Sequence, residues 1–304
     1  MVTFTHVLYP TDLSEASSHA SRYVATLARW YKAQLTVLHV VPAFEGAGLP
    51  TDAGHLTGPL AYPPPPDDVE AVMRQAVGDD IPADLAPAFI TVVANPANAI
   101  VDQAVSTSAD LIVMGTHGRS GFSRFVGGSV TEKVLRRAPC PVLTIPPHAP
   151  ASADAPIFTR ILCPVDFSPA SQQALGFALD LARQSNGTIT VLSVVEWLSE
   201  SGLGTEVAAD PSDFVQHLVR DAAHHLHQLV AREPQTWCEI EEVVTSGRAH
   251  REILRVASER GSDLIVMGAH GHGRGLAFLG STTPSVVRAA ECPVLVVHDQ
   301  PTGA

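Results

Sequence analysis

Charge of either sign is scarce in this 304-residue chain: only 16% of its residues are Asp, Glu, Lys or Arg. What charge there is leans acidic, with 31 acidic against 19 basic residues and a net charge of −12. That balance argues against nucleic acid or an anionic membrane as the main partner, because both demand a basic face. It still allows a local basic pocket. No apolar run approaches the roughly 20 residues needed to span a bilayer. The N-terminal stretch MVTFTHVLYP has no basic region, long apolar core or cleavage site, so no signal peptide is expected. Cysteine is limited to Cys140, Cys163, Cys238 and Cys292, with no Cys-x-x-Cys pair. Buried thiols in a reduced, cytoplasmic protein are the simplest expectation. Two common phosphate signatures are missing as well. There is no Gly-x4-Gly-Lys-Ser/Thr run, and no Gly-x-Gly-x-x-Gly follows the first apolar stretch. The usual P-loop and dinucleotide fingerprints are therefore excluded.

What the chain has instead is repetition. The string ADLIVMGTHG at 109–118 returns as SDLIVMGAHG at 262–271. Leu-Ile-Val-Met is short, continuously apolar and bounded by Asp and Gly, which suits a strand buried on both faces of a parallel sheet. VLYPTDLSEAS (7–17) matches ILCPVDFSPAS (161–171), LTVLHVV (35–41) matches ITVLSVV (189–195), and CPVLTI (140–145) matches CPVLVV (292–297). The offsets are 154 for Asp12 and Asp166, 153 for Gly115 and Gly268, and 152 for Cys140 and Cys292. Ordered matches at a nearly constant, domain-sized offset indicate tandem duplication rather than a solenoid. The expected division is a first domain at 1–145, a linker at 146–156 and a second domain at 157–304. A hydrophobic content of 45% is enough for two sizeable cores.

Each half reads β-α-β-α-β-α-β-α-β. In the first half, strands are expected near 5–10, 35–40, 88–93, 110–114 and 142–145. Helices are expected from Ser14 to about 31, then at 67–77, 96–107 and 129–138, with Ser14 as a cap and acidic residues opening the second. Ser168-Pro169 is a cleaner helix start in the second half. Alternating strands and helices imply a doubly wound parallel sheet, hence an α/β fold. The Gly- and Pro-rich stretch 42–66 reads as a lid or mobile insert beside the ligand crevice. The prolines of 146–156 make a semi-rigid linker.

The chemistry concentrates in the loop GTHGRSGFSRFVGGSV. Gly115, two residues, Gly118, nine residues, then Gly128-Ser129 open a helix. Backbone amides followed by a helix N-terminus suit an anion. Ser129 and Thr131 add hydroxyls, and Arg119 and Arg124 add positive charge. Asp12 ends the strand at the topological switch point, where ligands of open α/β sheets sit. Its carboxylate can accept hydrogen bonds from a ribose or base, or cap the helix that follows. His117 and His270 recur in both loops, and bracing of the turn through the backbone is favoured over catalysis. His217, His224 and His227 share one stripe of a helix within 214–234, with His225 pointing elsewhere. A solvated titratable face is favoured over zinc there, and no metal site is assigned.

Together, YPTDLS, the VLHV strand, DLIVMGTHG, the Gly-x2-Gly-x9-Gly-Ser loop and the closing CPVLTIP resemble the universal stress proteins. The resemblance covers both halves and implies a tandem member of the ATP-binding type. It implies two doubly wound domains, each a five-stranded parallel sheet in the order 3-2-1-4-5 flanked by helices. It also implies ATP as ligand, with magnesium as an optional companion. By the same resemblance, Pro10, Thr11 and Asp12 line the adenosine end, and Val40 meets adenine through its backbone. Met114, Gly115 and Gly118, with His117 and Arg119 in the same loop, pass beneath ribose and phosphates. Gly128, Ser129, Val130 and Thr131 hold the phosphates. The matching second-half set is Pro164, Val165, Asp166, Val194, Met267, Gly268, Gly271, Gly280, Ser281, Thr282 and Thr283. That half departs from the pattern: eight residues separate Gly271 from Gly280, Arg274 is the one loop arginine, and Pro284 follows the Gly-Ser-Thr-Thr start. One missing residue shortens the loop's reach by about 3.5 Å, comparable to a hydrogen-bond length. The first half is therefore expected to be the tighter ATP site.

The implied role is an adenine-nucleotide-binding sensor or signalling protein of the stress response. The alternatives are a slow ATP hydrolase and a partner-binding module with nucleotide in the first half only. No second carboxylate is tied to the glycine loop, which counts against rapid phosphoryl transfer. The resemblance also implies an intramolecular pseudo-dimer, with 142–145 paired against 294–297, and leaves a further homodimer open. An apolar, uncharged edge strand left bare would invite aggregation.

Overall fold

The computed structural model describes residues 1–42, 68–77, 80–116, 130–150, 158–196, 211–233, 238–271 and 279–298. The insert expected at 42–66, beyond Pro42, and residues 151–156 of the linker lie outside the described residues.

The strands are β1 (His6–Thr11), β2 (Gln34–Pro42), β3 (Ala88–Ala94), β4 (Leu111–Gly115) and β5 (Val142–Ile145), then β6 (Arg160–Pro164), β7 (Thr188–Val195), β8 (Glu239–Ser246), β9 (Leu264–Gly268) and β10 (Val294–Val297). They form one ten-stranded sheet in the order β3-β2-β1-β4-β5-β10-β9-β6-β7-β8. Each half thus keeps the 3-2-1-4-5 order, with parallel neighbours inside it. The two five-stranded sheets are continuous, because β5 and β10 pair antiparallel at the edges expected from the sequence. Leu143 faces Leu295, flanked by Val142 with Val296 and Thr144 with Val294. Leu143 and Leu295 are duplicate positions, so a local two-fold passes between them. The Thr144 hydroxyl, fully buried, donates to the Val294 carbonyl at 3.1 Å.

The helices are α1 (Glu15–Ser18), α2 (Ser21–Tyr31), α3 (Val69–Val77), α4 (Pro96–Ser106), α5 (Val130–Arg137), α6 (Pro169–Ser185), α7 (Pro211–Arg232), α8 (Ala249–Glu259) and α9 (Thr282–Ala289). Alternate strand residues divide between two cores. Val7, Tyr9, Leu111, Val113, Leu143 and Leu295 pack with Val24, Met73, Leu175 and Leu226 from α2, α3, α6 and α7. Leu8, Ile112, Met114, Val142, Ile265 and Val296 pack with Ile100, Val134, Ile253 and Val286 from α4, α5, α8 and α9. Both faces are covered, which explains why the Leu-Ile-Val-Met runs carry no polar alternation. Each core also runs through both halves.

The aspartate that opens each of these runs has a structural task at the far end of the strand. Asp110 accepts from the Thr5 amide at 2.7 Å, the Thr5 hydroxyl at 2.6 Å and the His6 amide at 3.1 Å. Its duplicate, Asp263, accepts from the Thr159 amide and hydroxyl and from the Arg160 amide at 2.9 Å. The repeated string therefore begins with a clamp on the entry to β1 or β6 and ends at the crevice.

One expected element is broken. The single helix read from Ser14 to about 31 is two, α1 and α2, whereas its counterpart α6 runs unbroken for 17 residues. Ser18 donates to the Ser14 and Ala76 carbonyls at 3.1 and 2.9 Å. The Ser21 hydroxyl lies 2.5 Å from the Ser18 carbonyl and 2.7 Å from Asp80, with its one hydrogen shared between them. Such side-chain bonds compete with the helical ladder. In α6 the same positions carry Gln172 and Leu175, and Ser168 caps the helix as expected, accepting from the Ser171 amide at 3.2 Å.

All four cysteines are free thiols, with Cys140, Cys163 and Cys292 buried. Burial pushes Cys140 and Cys292 up to about 12, which keeps them protonated and unreactive at neutral pH. No described helix is long and apolar enough to cross a membrane.

Candidate functional site

In the second half, the carboxyl ends of β6, β7 and β9 and the start of α9 enclose a cavity of about 510 Å³. It opens where the sheet order reverses, between β6 and its neighbours β7 and β9, the place where α/β sheets take ligands. Its size falls within the roughly 300–1,000 Å³ usual for small-molecule pockets. All eleven second-half residues named from the sequence line it: Pro164, Val165, Asp166, Val194, Met267, Gly268, Gly271, Gly280, Ser281, Thr282 and Thr283. His270 joins them, and so do Ser171, Leu192, Glu196, Ala249 and Ile253, which sequence reasoning passed over.

Asp166 is held in an Asp-x-Ser turn. One carboxylate oxygen accepts from the Ser168 amide at 3.0 Å and the Ser168 hydroxyl at 2.5 Å. Phe167 between them adopts a left-handed φ of 65°. The other oxygen faces Gly271, where an added Cβ would sit 2.5 Å from it. Helix capping, one of the roles weighed for its duplicate Asp12, falls here to Ser168, and Asp166 holds that capping serine in place. Gly268 is equally constrained, since a Cβ there would lie 2.8 Å from the Ala170 carbonyl carbon of α6. Gly280 differs: its Cβ would meet nothing closer than 3.8 Å. Packing among the described residues gives no reason for a glycine at 280, which lines the cavity.

Helix α9 presents its N-terminus to this cavity. Ser281 caps it without a side-chain bond, and the first-turn amides of Ser281, Thr282 and Thr283 have no helical acceptor. Pro284 removes one donor from that turn. The Thr283 hydroxyl, by contrast, is not directed at a phosphate. It donates to the Gly268 carbonyl at 3.0 Å and ties α9 to the end of β9. Thr131 makes the corresponding contact with Gly115 at 3.4 Å. Both threonines are buried, so the Thr131 hydroxyl read from the sequence as an anion donor is turned to the backbone instead, as is that of Thr283.

In the first half, Pro10, Thr11 and Asp12 stand at the end of β1, with Val40 on adjacent β2 and Met114 and Gly115 on adjacent β4. Val130 and Thr131 open α5. Asp12 repeats the turn of Asp166, accepting from the Ser14 amide at 3.0 Å and hydroxyl at 2.6 Å, with Leu13 at a φ of 61°. The Thr11 hydroxyl is engaged with Ser17 at 2.9 Å and with the Leu13 amide at 3.1 Å. His117, Gly118, Arg119, Arg124, Gly128, Ser129 and Arg274 lie outside the described residues.

The histidines of α7 have individual partners: His217 with Asp221 at 3.4 Å, His224 with Gln228 at 2.8 Å and His227 with Glu242 at 3.2 Å. His225 rests edge-on against Phe167 with ring centroids 5.9 Å apart. Among the described residues no three His, Cys, Asp or Glu side chains are grouped to hold a metal ion.

Comparison with known proteins agrees with this architecture. The profile of the universal stress protein family matches twice, at residues 3–146 and 158–298. A universal stress protein of Mycobacterium tuberculosis is 30% identical over 306 residues, covering 96% of each chain. Universal stress protein G of Escherichia coli O157:H7 is 32% identical over 144 residues, covering 47% of this chain and 100% of that one. Among solved structures, a universal stress protein from Archaeoglobus fulgidus superposes with a TM-score of 0.62 at 22% identity, covering 96% of this chain and 98% of that one.

Proposed function

The chain belongs to the universal stress protein family, and from that premise we propose that it is an adenine-nucleotide-binding protein of the stress response. It acts in the cytoplasm as a sensor or signalling protein whose ligand is ATP. The carrying observation is that eleven residues chosen from sequence meet in the wall of one cavity of about 510 Å³. The chemistry of the wall suits the ligand. Amides at the start of α9 suit phosphates, Asp166 suits ribose hydroxyls, and apolar Leu192, Val194 and Ile253 suit a base. Magnesium would arrive with the phosphates, since it binds through few protein carboxylates and keeps several waters.

The first half takes ATP through the equivalent set around Asp12 and Gly115 and binds it more tightly, because its loop is one residue longer and carries two arginines. The reading is binding rather than rapid turnover. Of the carboxylates lining the second cavity, Asp166 holds the Ser168 amide and Glu196 holds the Ala249 amide. Residues 1–145 and 157–304 act as two domains joined by 146–156. They form an intramolecular pseudo-dimer across β5 and β10, with further homodimerisation left to the outer surface. Native mass spectrometry of the purified chain tests the proposal: bound adenine nucleotide supports it, and nucleotide-free protein that takes up no added ATP overturns it.

A further inference from the structure

The two halves diverge sharply at one place on the rim of the crevice. β7 is followed by Glu196, which lines the second-half cavity beside Val194. Its Oε1 accepts from the Ala249 amide at 2.7 Å, at the first residue of α8. That helix has Arg248 at its cap position and no side-chain cap of its own. In the first half the corresponding positions are Pro42 and Pro96. Pro42 offers no carboxylate, Pro96 offers no amide, and α4 is capped instead by Asn95, which accepts from the Asn98 amide at 3.4 Å. Among the described residues, the second half alone therefore holds an oriented carboxylate at this corner.

Its surroundings say what it faces. The phosphate-suited amides lie at the α9 start, and Asp166 stands at the end of β6. Across β6 from β9, strand β7 adds the apolar Leu192 and Val194 to the wall, and α8 adds Ile253. A planar base belongs there, and Glu196 is the carboxylate beside it. With Oε1 fixed on the Ala249 amide, Oε2 is the remaining acceptor. A carboxylate accepts hydrogen bonds and cannot donate one. It therefore favours a base edge carrying an exocyclic amino group and repels one carrying a carbonyl.

We propose that Glu196 is a specificity-determining residue of the second half, accepting from the 6-amino group of adenine and rejecting purines with oxygen at that position. This rests on the nucleotide reading above. The first half, with Pro42 in place of the carboxylate, lacks this side-chain filter, so the duplicated sites differ in base stringency.

The full-length chain is titrated separately with ATP and ITP, which differ at the purine 6-position, following the amide resonances of Ala249, Gly268 and Gly271. These report the second half alone. The expected result is that ATP moves them at a concentration at least tenfold lower than ITP. In Glu196→Gln, which keeps an oxygen acceptor for the Ala249 amide but removes the charge and adds a donor, the two curves converge to within threefold and the thermal midpoint is unchanged. A helix cap alone would leave the ATP-to-ITP ratio the same in both proteins. Equal titration by ATP and ITP in the wild type, or a ratio unchanged in Glu196→Gln, overturns the role of Glu196 while leaving nucleotide binding intact. If neither nucleotide moves these resonances at millimolar concentration, the second-half nucleotide reading falls, and this inference falls with it.

Discussion

The helix after the first strand is continuous in one half and interrupted in the other, although both begin from the same Asp-x-Ser turn. Asp12 and Asp166 hold their serines with nearly the same distances. Beyond that turn, Ser18 and Ser21 divert backbone carbonyls in α1 and α2, while Gln172 and Leu175 leave α6 intact. The rim shows the same contrast, with Glu196 and Ala249 on one side and Pro42 and Pro96 on the other. Duplication has kept the strand-end chemistry and changed the residues that surround it. The two strand ends are thus equivalent in plan and differ in the side chains set around them.

The largest expected effect concerns the seam that makes the halves one sheet. Leu295→Asp places a carboxylate opposite Leu143, in a buried apolar ladder. A carboxyl raised by about 3 units there costs about 4 kcal/mol at neutral pH. The folded-state pKa is raised, so this penalty shrinks as pH falls toward about 4. Denaturant unfolding at pH 7 and pH 4 measures it, and an equal, small loss at both would show that the seam does not bind the halves together.

Next in size is a split between glycines of the second half. Gly268→Val drives a Cβ into the Ala170 backbone at 2.8 Å and should destabilise by about 1–3 kcal/mol. The Cβ of Gly280→Val meets no described atom closer than 3.8 Å, so its unfolding should stay within about 0.5 kcal/mol of wild type while second-half ATP affinity falls. Parallel unfolding and nucleotide titrations check both, and comparable stability losses would remove the ligand explanation for Gly280. In the first half, Gly128→Val and Ser129→Asp should each weaken ATP by more than about tenfold, on the order of 1.4 kcal/mol. Calorimetry that finds both variants unchanged would dismiss the helix start as the phosphate anchor. The smallest effect is Ser21→Ala, which loses its bonds to Ser18 and Asp80 for about 1 kcal/mol. Hydrogen exchange should then slow across the α1–α2 junction as the two helices approach the continuity of α6.

Much of this was legible in the sequence. Buried parallel strands write themselves as uninterrupted apolar runs, so β4, β5, β9 and β10 stand where the repeats put them. Their glycine ends point to the crevice because Gly268 and Gly271 are demanded by backbone and by Asp166. The helix break was hidden because a serine's preference for a neighbouring carbonyl depends on Ala76 and Asp80, distant partners that no local pattern reveals. Glu196 was hidden for the same reason: its neighbour Ala249 is 53 residues away. A comparison of the halves position by position would have flagged the exchange of two prolines for a carboxylate and an amide. The threonines after each Gly-Ser were legible as residues but not in orientation, since their hydroxyls turn inward to Gly115 and Gly268.

Calorimetric titration of the full-length chain with ATP tests the central claim most directly. The account predicts two unequal binding events, the tighter abolished by Ser129→Asp and the weaker by Gly280→Val. No heat with ATP, or two identical events that both survive these substitutions, would contradict it.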